Sequence, residues 1–411
     1  MPACVTTGPG EEIPMTGTSI AEAIGPRRLW PNGRRPERPV EFDEEHGVWH
    51  VHGYPEAVEI LGNPRTFSSN INRLFDPNAD APGEGDLLRM DPPDHRKLRN
   101  LVSRAFSRKV VADLEPRIAE ITHELLGEVA GRDRLELVAD LAHPLPVIVI
   151  AELLGVPSSD RQLFRTWADE LLNSDNEFGP GDDEQTRMQA IADSQAVTDR
   201  INAYLLEHAL ERRRRPRADL LTQLVQAEVD GERLTDTEVA TFAGLLLLAG
   251  HITTTLLLGS SVLCLDAHPD RAAQVRADRS LVPGLIEESV RFASPFTQVI
   301  RATQVEAEIG GRRVPPDQML VVWLSSANRD PRQFADPDVF DPTRDPNPHL
   351  GFGRGVHFCI GAPLARLEGR VVLNILLDTY RELRTDPAAP PVFMSSTITN
   401  GVEALPLLVS T

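Results

Sequence analysis

The stretch Phe242–Leu265 carries no formally charged residue and constrains how the whole 411-residue chain can fold. Thr235 and Glu238 precede it at the spacing of a capping box, in which a hydroxyl and a carboxylate each satisfy a free backbone N–H at a helix start. The predicted helix runs to about Asp266, roughly thirty residues or about 45 Å at 1.5 Å per residue. That is long enough to cross a bilayer. Its middle, however, holds Gly250, Thr253, Thr254, Thr255, Gly259, Ser260 and Ser261, and no second such span follows. A helix buried through the centre of a large soluble protein fits better.

Apolar residues recur at three- and four-residue spacing near 95–107, 113–130, 137–154, 158–173, 185–214 and 281–292, the signature of helices with one buried face. Another long helix is expected from about Ala362 to Leu383, and a short one over Pro55–Leu61. Strand signals are few. Gly47–Val51 alternates, and a hairpin is expected from Val305–Ile309 through Gly310-Gly311 to Met319–Leu324. Residues 70–88 and 330–350 read as long irregular connections, and 174–183 as an acidic loop. The expected fold is mainly α with a small β subdomain: an extended segment over 1–40, then one catalytic domain over 41–411.

The net charge of −19 argues against nucleic acid or an anionic membrane as partner. The first twenty residues lack a basic start and an apolar run, so no signal peptide or membrane anchor is expected. Cys4, Cys264 and Cys359 lie far apart, which disfavours a disulfide framework and points to a reducing cytoplasm.

The chemistry concentrates in Phe352-Gly353-Arg354-Gly355-Val356-His357-Phe358-Cys359-Ile360-Gly361. Glycines before a cysteine let backbone pass close to something flat. Pro363 marks a helix start just beyond, and the N–H groups and dipole there favour a thiolate. Taken alone, a cysteine and two glycines also describe a buried structural loop. The full segment resembles the cytochrome P-450 signature F-G-x-G-x-H-x-C-x-G at every fixed position.

That resemblance implies haem b lying between the long central helix and the cysteine loop, with Cys359 as the iron's thiolate ligand. Such a ligand pushes electron density toward O–O cleavage. Phe352 would shield the sulfur, His357 would bond a propionate, and Gly353 and Gly361 complete the cradle. Glu288-Ser289-Val290-Arg291 resembles the family's E-x-x-R, and Arg344 within Phe340–Arg344 would complete a Glu–Arg–Arg brace. His95 and Arg99, four apart on one helical face, and Arg301 match propionate-binding positions. Ala249–Thr254 resembles the oxygen-activating A-G-x-[D/E]-T-T, with Gly250 and Thr253 expected to leave a groove for dioxygen. Thr253 and Thr254 supply hydroxyls able to relay protons. Here the usual carboxylate is Ile252, so His251, water or a substrate hydroxyl is left to serve. His251 is equally readable as an inert core residue.

The resemblance extends from about residue 40 to the end and is closest to actinomycete tailoring hydroxylases of macrolides and other polyketides, of the erythromycin-hydroxylase type. It implies a monooxygenase using O2 and NAD(P)H-derived electrons. The sequence shows no flavin or iron–sulfur motif, so electrons are expected from ferredoxin and ferredoxin reductase. Lys97, Arg104, Arg108 and Lys109, with Arg96 and Arg99, form an acid-free basic run suited to an acidic partner. The run Arg212–Arg215, before Pro216, reads as complementing a helix dipole. Ala243, Leu246, Leu247, Pro295, Phe296, Val299 and Ile398 are expected to line a pocket for a bulky apolar small molecule. A cytoplasmic monomer is expected. Alternatives on the same chassis are oxidative coupling, desaturation, peroxide-driven chemistry, or steroid or terpenoid hydroxylation. A haem sensor is disfavoured because it would need an output domain.

Overall fold

A computed structural model describes residues 30, 34–75, 85–106, 108–160, 162–164, 166–167, 170, 184–229, 231–394, 396 and 398–411, with short strands at Cys4–Thr6 and Glu12–Pro14. The helices that build the body are α1 (Tyr54–Gly62), α2 (Asp94–Ala105), α3 (Glu115–Glu128), α4 (Pro144–Leu154), α5 (Glu184–Arg214), α6 (Leu220–Gln226), α7 (Asp236–Ala267), α8 (Pro269–Ala277), α9 (Val282–Phe292) and α10 (Ala362–Thr379).

Helix α7 is the central helix anticipated from the uncharged stretch. Its capping box is formed in both directions: Glu238 N–H donates to Thr235 Oγ1 at 3.0 Å and Thr235 N–H donates to Glu238 Oε2 at 2.8 Å. Pro269 follows its end, where a helix cannot continue unchanged. α4, α5, α9 and α10 all pack on α7. The buried face of α10 repeats at helical spacing through Leu364, Leu367, Val371, Val372 and Leu376.

The small β part is a five-stranded sheet of β1 (Val40–Asp43), β2 (Val48–Val51), β3 (Phe67–Ser68), β4 (Gln298–Thr303) and β7 (Met319–Trp323), in the order β1–β2–β7–β4–β3. The hairpin expectation needs correcting. The Gly310-Gly311 turn joins β5 (Ala307–Ile309) to β6 (Arg312–Val314), whereas β7 pairs antiparallel with β4 and parallel with β2. The intervening Arg312–Val314 is too short and charged to stand out as a strand, so the turn was matched to the wrong partner.

Other differences are local. The helix expected over 137–154 is split: Val138–Ala142 forms a π turn, and α4 begins at Pro144, because a proline lacks the N–H a continuous helix needs. The helix expected near 158–173 lies partly outside the described residues. The last helix stops at Thr379, and Glu382–Thr385 is instead a strand. The Arg212–Arg215 run does more than complement a dipole. Arg212 is fully buried, donating to Asp219 Oδ2 at 2.6 Å and to the Gly155 carbonyl at 2.7 Å. Arg213 pairs with Asp236 and donates to the carbonyls of Val225 and Leu234. These two side chains pin the end of α5 to the starts of α6 and α7.

Candidate active site

The loop before α10 is held by its own backbone. Cys359 N–H donates to the Phe352 carbonyl at 2.9 Å, closing the turn that presents the sulfur. Gly353 and Gly355 have φ of +69° and +71°, a region costly for residues with a side chain. A Cβ on Gly355 would also meet the Leu61 carbonyl oxygen at 2.3 Å, so glycine there lets the loop dock on the end of α1. A Cβ on Gly361 would rest 3.9 Å from Cys359 Sγ.

Burial pushes the Cys359 thiol up. Hydrogen bonds from the Gly361 and Ala362 N–H groups, then the Arg99 and Arg366 guanidiniums, pull it toward the thiolate. A metal cation at the sulfur would complete that shift, since a coordinating thiol is deprotonated. Phe352 is gripped from one side: the Arg366 guanidinium sits 4.5 Å from its ring centroid. Arg366 forks onto Glu287 at 2.6 and 2.8 Å, and His349 approaches the same carboxylate at 3.0 Å. Burial alone would raise the Glu287 carboxyl, but these partners hold it down at about 2.

Above this loop two imidazoles and two guanidiniums come together. The β4–β7 register sets Arg301 opposite Leu320, and β3 brings Ser68 beside β4. Asp91 binds the Ser69 N–H at 2.9 Å, and Ser69 Oγ lies 2.9 Å from His357 Nε2. His95 and His357 have ring centroids 4.2 Å apart. His95 is 1% exposed, yet neither ring nitrogen has a partner among the described residues. Burial, then Arg99, pushes His95 down to about 4; burial, then Arg301 and His95, pushes His357 down to about 3. Burial also lowers Arg301, to about 10. Buried donors without acceptors are costly. An anionic group between them would give His95 the partner it lacks and the Arg99 and Arg301 guanidiniums a counter-charge, as the carboxylates of a haem would. The residues present fit that group.

The brace is formed. Glu288 and Arg291 are fully buried and joined by two hydrogen bonds of 2.7 and 2.8 Å. Arg344 Nε reaches Glu288 at 3.3 Å, and Arg291 donates to the carbonyls of Asn328, Pro337 and Val339. The irregular 330–350 connection is therefore folded onto α9 through its carbonyls.

Along α7 the outcome is mixed. Thr253 is half-buried and its hydroxyl donates to the Ala249 carbonyl at 2.6 Å. At Gly250 a Cβ would meet Ile150 of α4 at 3.2 Å, so its lack of a side chain permits close helix packing. His251 faces His143, with ring centroids 4.3 Å apart, and burial lowers it to about 3. Thr254 turns inward to hydrogen-bond Glu368 on α10, which burial raises to about 8. Glu368 was missed in the sequence. Its signal is there: it falls in the apolar stripe Leu364, Leu367, Glu368, Val371 and Val372.

Of the expected pocket residues, Ala243, Leu246, Leu247 and Pro295 are buried, Val299 is half-buried, and Phe296 and Ile398 are exposed. The last two share one wall. Phe296 bridges Thr399, Thr297 N–H donates to the Ile398 carbonyl at 2.8 Å, and Asn400 N–H donates to the Pro295 carbonyl at 2.9 Å. On the basic run, Lys97 pairs with Glu232, Arg99 donates to the Phe358 carbonyl at 2.5 Å, and Lys109 is exposed. The side chains of Arg104 and Arg108 lie outside the described ones.

A thiol cradled by glycines and N–H groups, beside two imidazoles and two guanidiniums and under a long helix, defines a haem-thiolate protein. The chain belongs to the cytochrome P450 family, whose pattern matches residues 41–401. A solved post-tailoring hydroxylase of himastatin biosynthesis, HmtN, is 54% identical, with 96% of this chain and 100% of that chain covered and a TM-score of 0.84. The cyclomarin C epoxidase CymV of Salinispora arenicola is 45% identical, covering 89% of this chain and 93% of that protein. The erythromycin C-12 hydroxylase of Saccharopolyspora erythraea is 41% identical, covering 92% and 93%. The chain is a cytochrome P450 monooxygenase close to tailoring enzymes of secondary metabolism.

Proposed function

We propose that this enzyme hydroxylates or epoxidises a bulky, mostly apolar secondary metabolite, of the macrolide or other polyketide class. The carrying observation is the Cys359 cradle beside the unpartnered, buried His95 and the Arg99 and Arg301 guanidiniums. The substrate reading rests on relatives named as two hydroxylases and an epoxidase, and on the apolar Phe296–Ile398 wall. Haem, when bound, supplies dioxygen activation. The chain's own residues hold and orient it. Cys359 ligates the iron, His95, Arg99, Arg301 and His357 bind its carboxylates, and Phe352 keeps water from the sulfur. Thr253 on α7 would hold a proton-bearing hydroxyl for the reaction.

Electrons come from ferredoxin and its reductase, docking on the basic run of α2 and the residues after it. Exposed Lys109 and Arg96 support this reading, as does Phe358, an exposed apolar residue next to Cys359. The enzyme works as a monomer in the cytoplasm. Incubation with ferredoxin, reductase, NADPH and a macrolide panel, read by mass spectrometry, tests the reading. Gain of one oxygen atom is expected; loss of hydrogens or dimer formation would overturn it in favour of desaturation or coupling. Reversing Arg104 and Arg108 to Glu should slow reduction, as should raised salt, which screens exposed charges over about 8–10 Å.

A further inference from the structure

The chain entering α4 lacks a backbone donor, and α7 supplies one. The π turn Val138–Ala142 runs into α4 at Pro144. Along a helical path the Ala142 carbonyl would accept from the nitrogen four residues on. That residue is Pro146, which has no N–H. Ala142 is fully buried, and a buried carbonyl without a partner is costly. Thr255 of α7, 5% exposed, donates its hydroxyl to this oxygen at 2.9 Å and lies 3.1 Å from the His251 carbonyl of its own helix.

Two more contacts join the same stretch of α7 to α4. His251, one turn before Thr255, packs edge-on against His143 and hydrogen-bonds the His143 backbone. Gly250 admits Ile150. Burial keeps His251 neutral at pH 7, so it carries no extra proton to give. At 3.6 residues per turn, Ala249 and Thr253 fall on the face opposite His251 and Thr255. Ala249 is exposed and Thr253 half-buried, so this turn has one face sealed against α4 and one face open.

We propose that Thr255, with His251 beside it, is a positioning residue that latches α7 to the chain entering α4 and so fixes the open face that carries Thr253. Threonine hydroxyls bonded back to their own helix tend to bend it. Thr253 and Thr255 both bond carbonyls four residues back, so this is the stretch of α7 that needs holding from outside. The latch is written in two places far apart in the chain: a proline that withholds a donor and a threonine that replaces it. His251 belongs to the same seam as a neutral contact, not as a substitute for the acid missing at Ile252.

The proposal rests on Thr253 serving the oxygen side, and its test separates the two. The probe is carbon monoxide on the reduced, haem-loaded protein, whose C–O stretch in the infrared reports the surroundings on the α7 side. The native protein should give one narrow stretch. Thr255→Val keeps the shape without the hydroxyl; it should split or broaden the stretch and lower the unfolding midpoint by about 2–4 °C. Thr255→Ser should restore both. Pro146→Ala gives the Ala142 carbonyl the N–H it lacks. Added to Thr255→Val, it should recover the midpoint and leave the stretch split, because the carbonyl is satisfied while α7 stays unlatched. Recovery of both would make Thr255 a carbonyl partner only and overturn the proposal, as would a native stretch in Thr255→Val. Should Thr255→Val not take up haem, the double variant carries the same reading, and a native stretch there overturns the proposal equally. Thr253→Ala should shift the stretch without splitting it. No shift would remove Thr253 from that face and overturn the functional reading on which the latch depends; a shift there with a native stretch in Thr255→Val would overturn the latch alone.

Discussion

Behind Cys359 the buried carboxylates are met from several sides. Glu288 alone is met by Arg291, Arg344, Asn347 and the Asp341 N–H, and Glu287 by Arg366 and His349. Along α7 the polar groups are few and turned away. Thr253 bonds its own helix, Thr255 reaches the Ala142 carbonyl at 2.9 Å, and His251 packs on His143. The thiolate side is over-determined because the sulfur must stay in one geometry. The oxygen side is sparse because substrate and water must share it. One side tolerates little substitution and the other is where a family member can diverge, as Ile252 shows.

The largest test of this contrast is Cys359→His. It should abolish the red-shifted Soret band of the reduced, CO-bound protein, while Cys264→Ala, altering a fully buried thiol within α7, should retain it. Next is Arg291→Leu. It takes from buried Glu288 its two shortest side-chain hydrogen bonds, leaving Arg344 at 3.3 Å as the remaining cation, with an expected loss of about 3 kcal/mol in unfolding measurements. Lys97→Ala, breaking an exposed pair with Glu232, should cost no more than about 1 kcal/mol. On the sparse side, Thr253→Ala should leave folding and the CO band unchanged and raise hydrogen peroxide released per NADPH several-fold. Full coupling with every accepted substrate would remove Thr253 from the relay.

The smallest effect is on pH dependence. Glu368 rises from 4.5 to about 8 on folding. Between those values the folded protein keeps a proton that the unfolded chain has lost. Its contribution is therefore fully present below 4.5 and is lost as pH rises toward 8. Subtracting the stability profile of Glu368→Gln from the native one should isolate that slope. A flat difference across the window would mean the carboxyl is not held neutral.

What could be read beforehand follows the same division. The cysteine loop and capping box are written in consecutive residues, because each is a local backbone geometry with its own residue requirements. The Glu288–Arg291 spacing is visible but meaningless alone. Its carbonyl partners at Asn328, Pro337 and Val339 come from a segment without periodicity. The packing of Gly250 against Ile150 is not legible in the sequence, since only the helix crossing brings the two together. Glu368 hid for the opposite reason, since a charged residue in an apolar stripe invites no pairing until the facing helix is known. The Gly310-Gly311 turn was correctly placed but wrongly partnered, because strand pairing is a long-range choice.

The Arg212 clamp gives α5 a fixed end. The helix has 31 residues, so it extends about 45 Å from that bearing, and a tilt of about 5° there carries the far end by about 4 Å. Asn202, whose Oδ1 would meet a Cβ on Gly244 at 2.5 Å, sits partway along, where the same tilt produces a smaller sweep against α7. The clamp joins Gly155 and Asp219, neither of which belongs to the thiolate side or to α7. One arginine's seat thus ties the end of α5 to the end of α4 and the start of α6 rather than to the Cys359 loop.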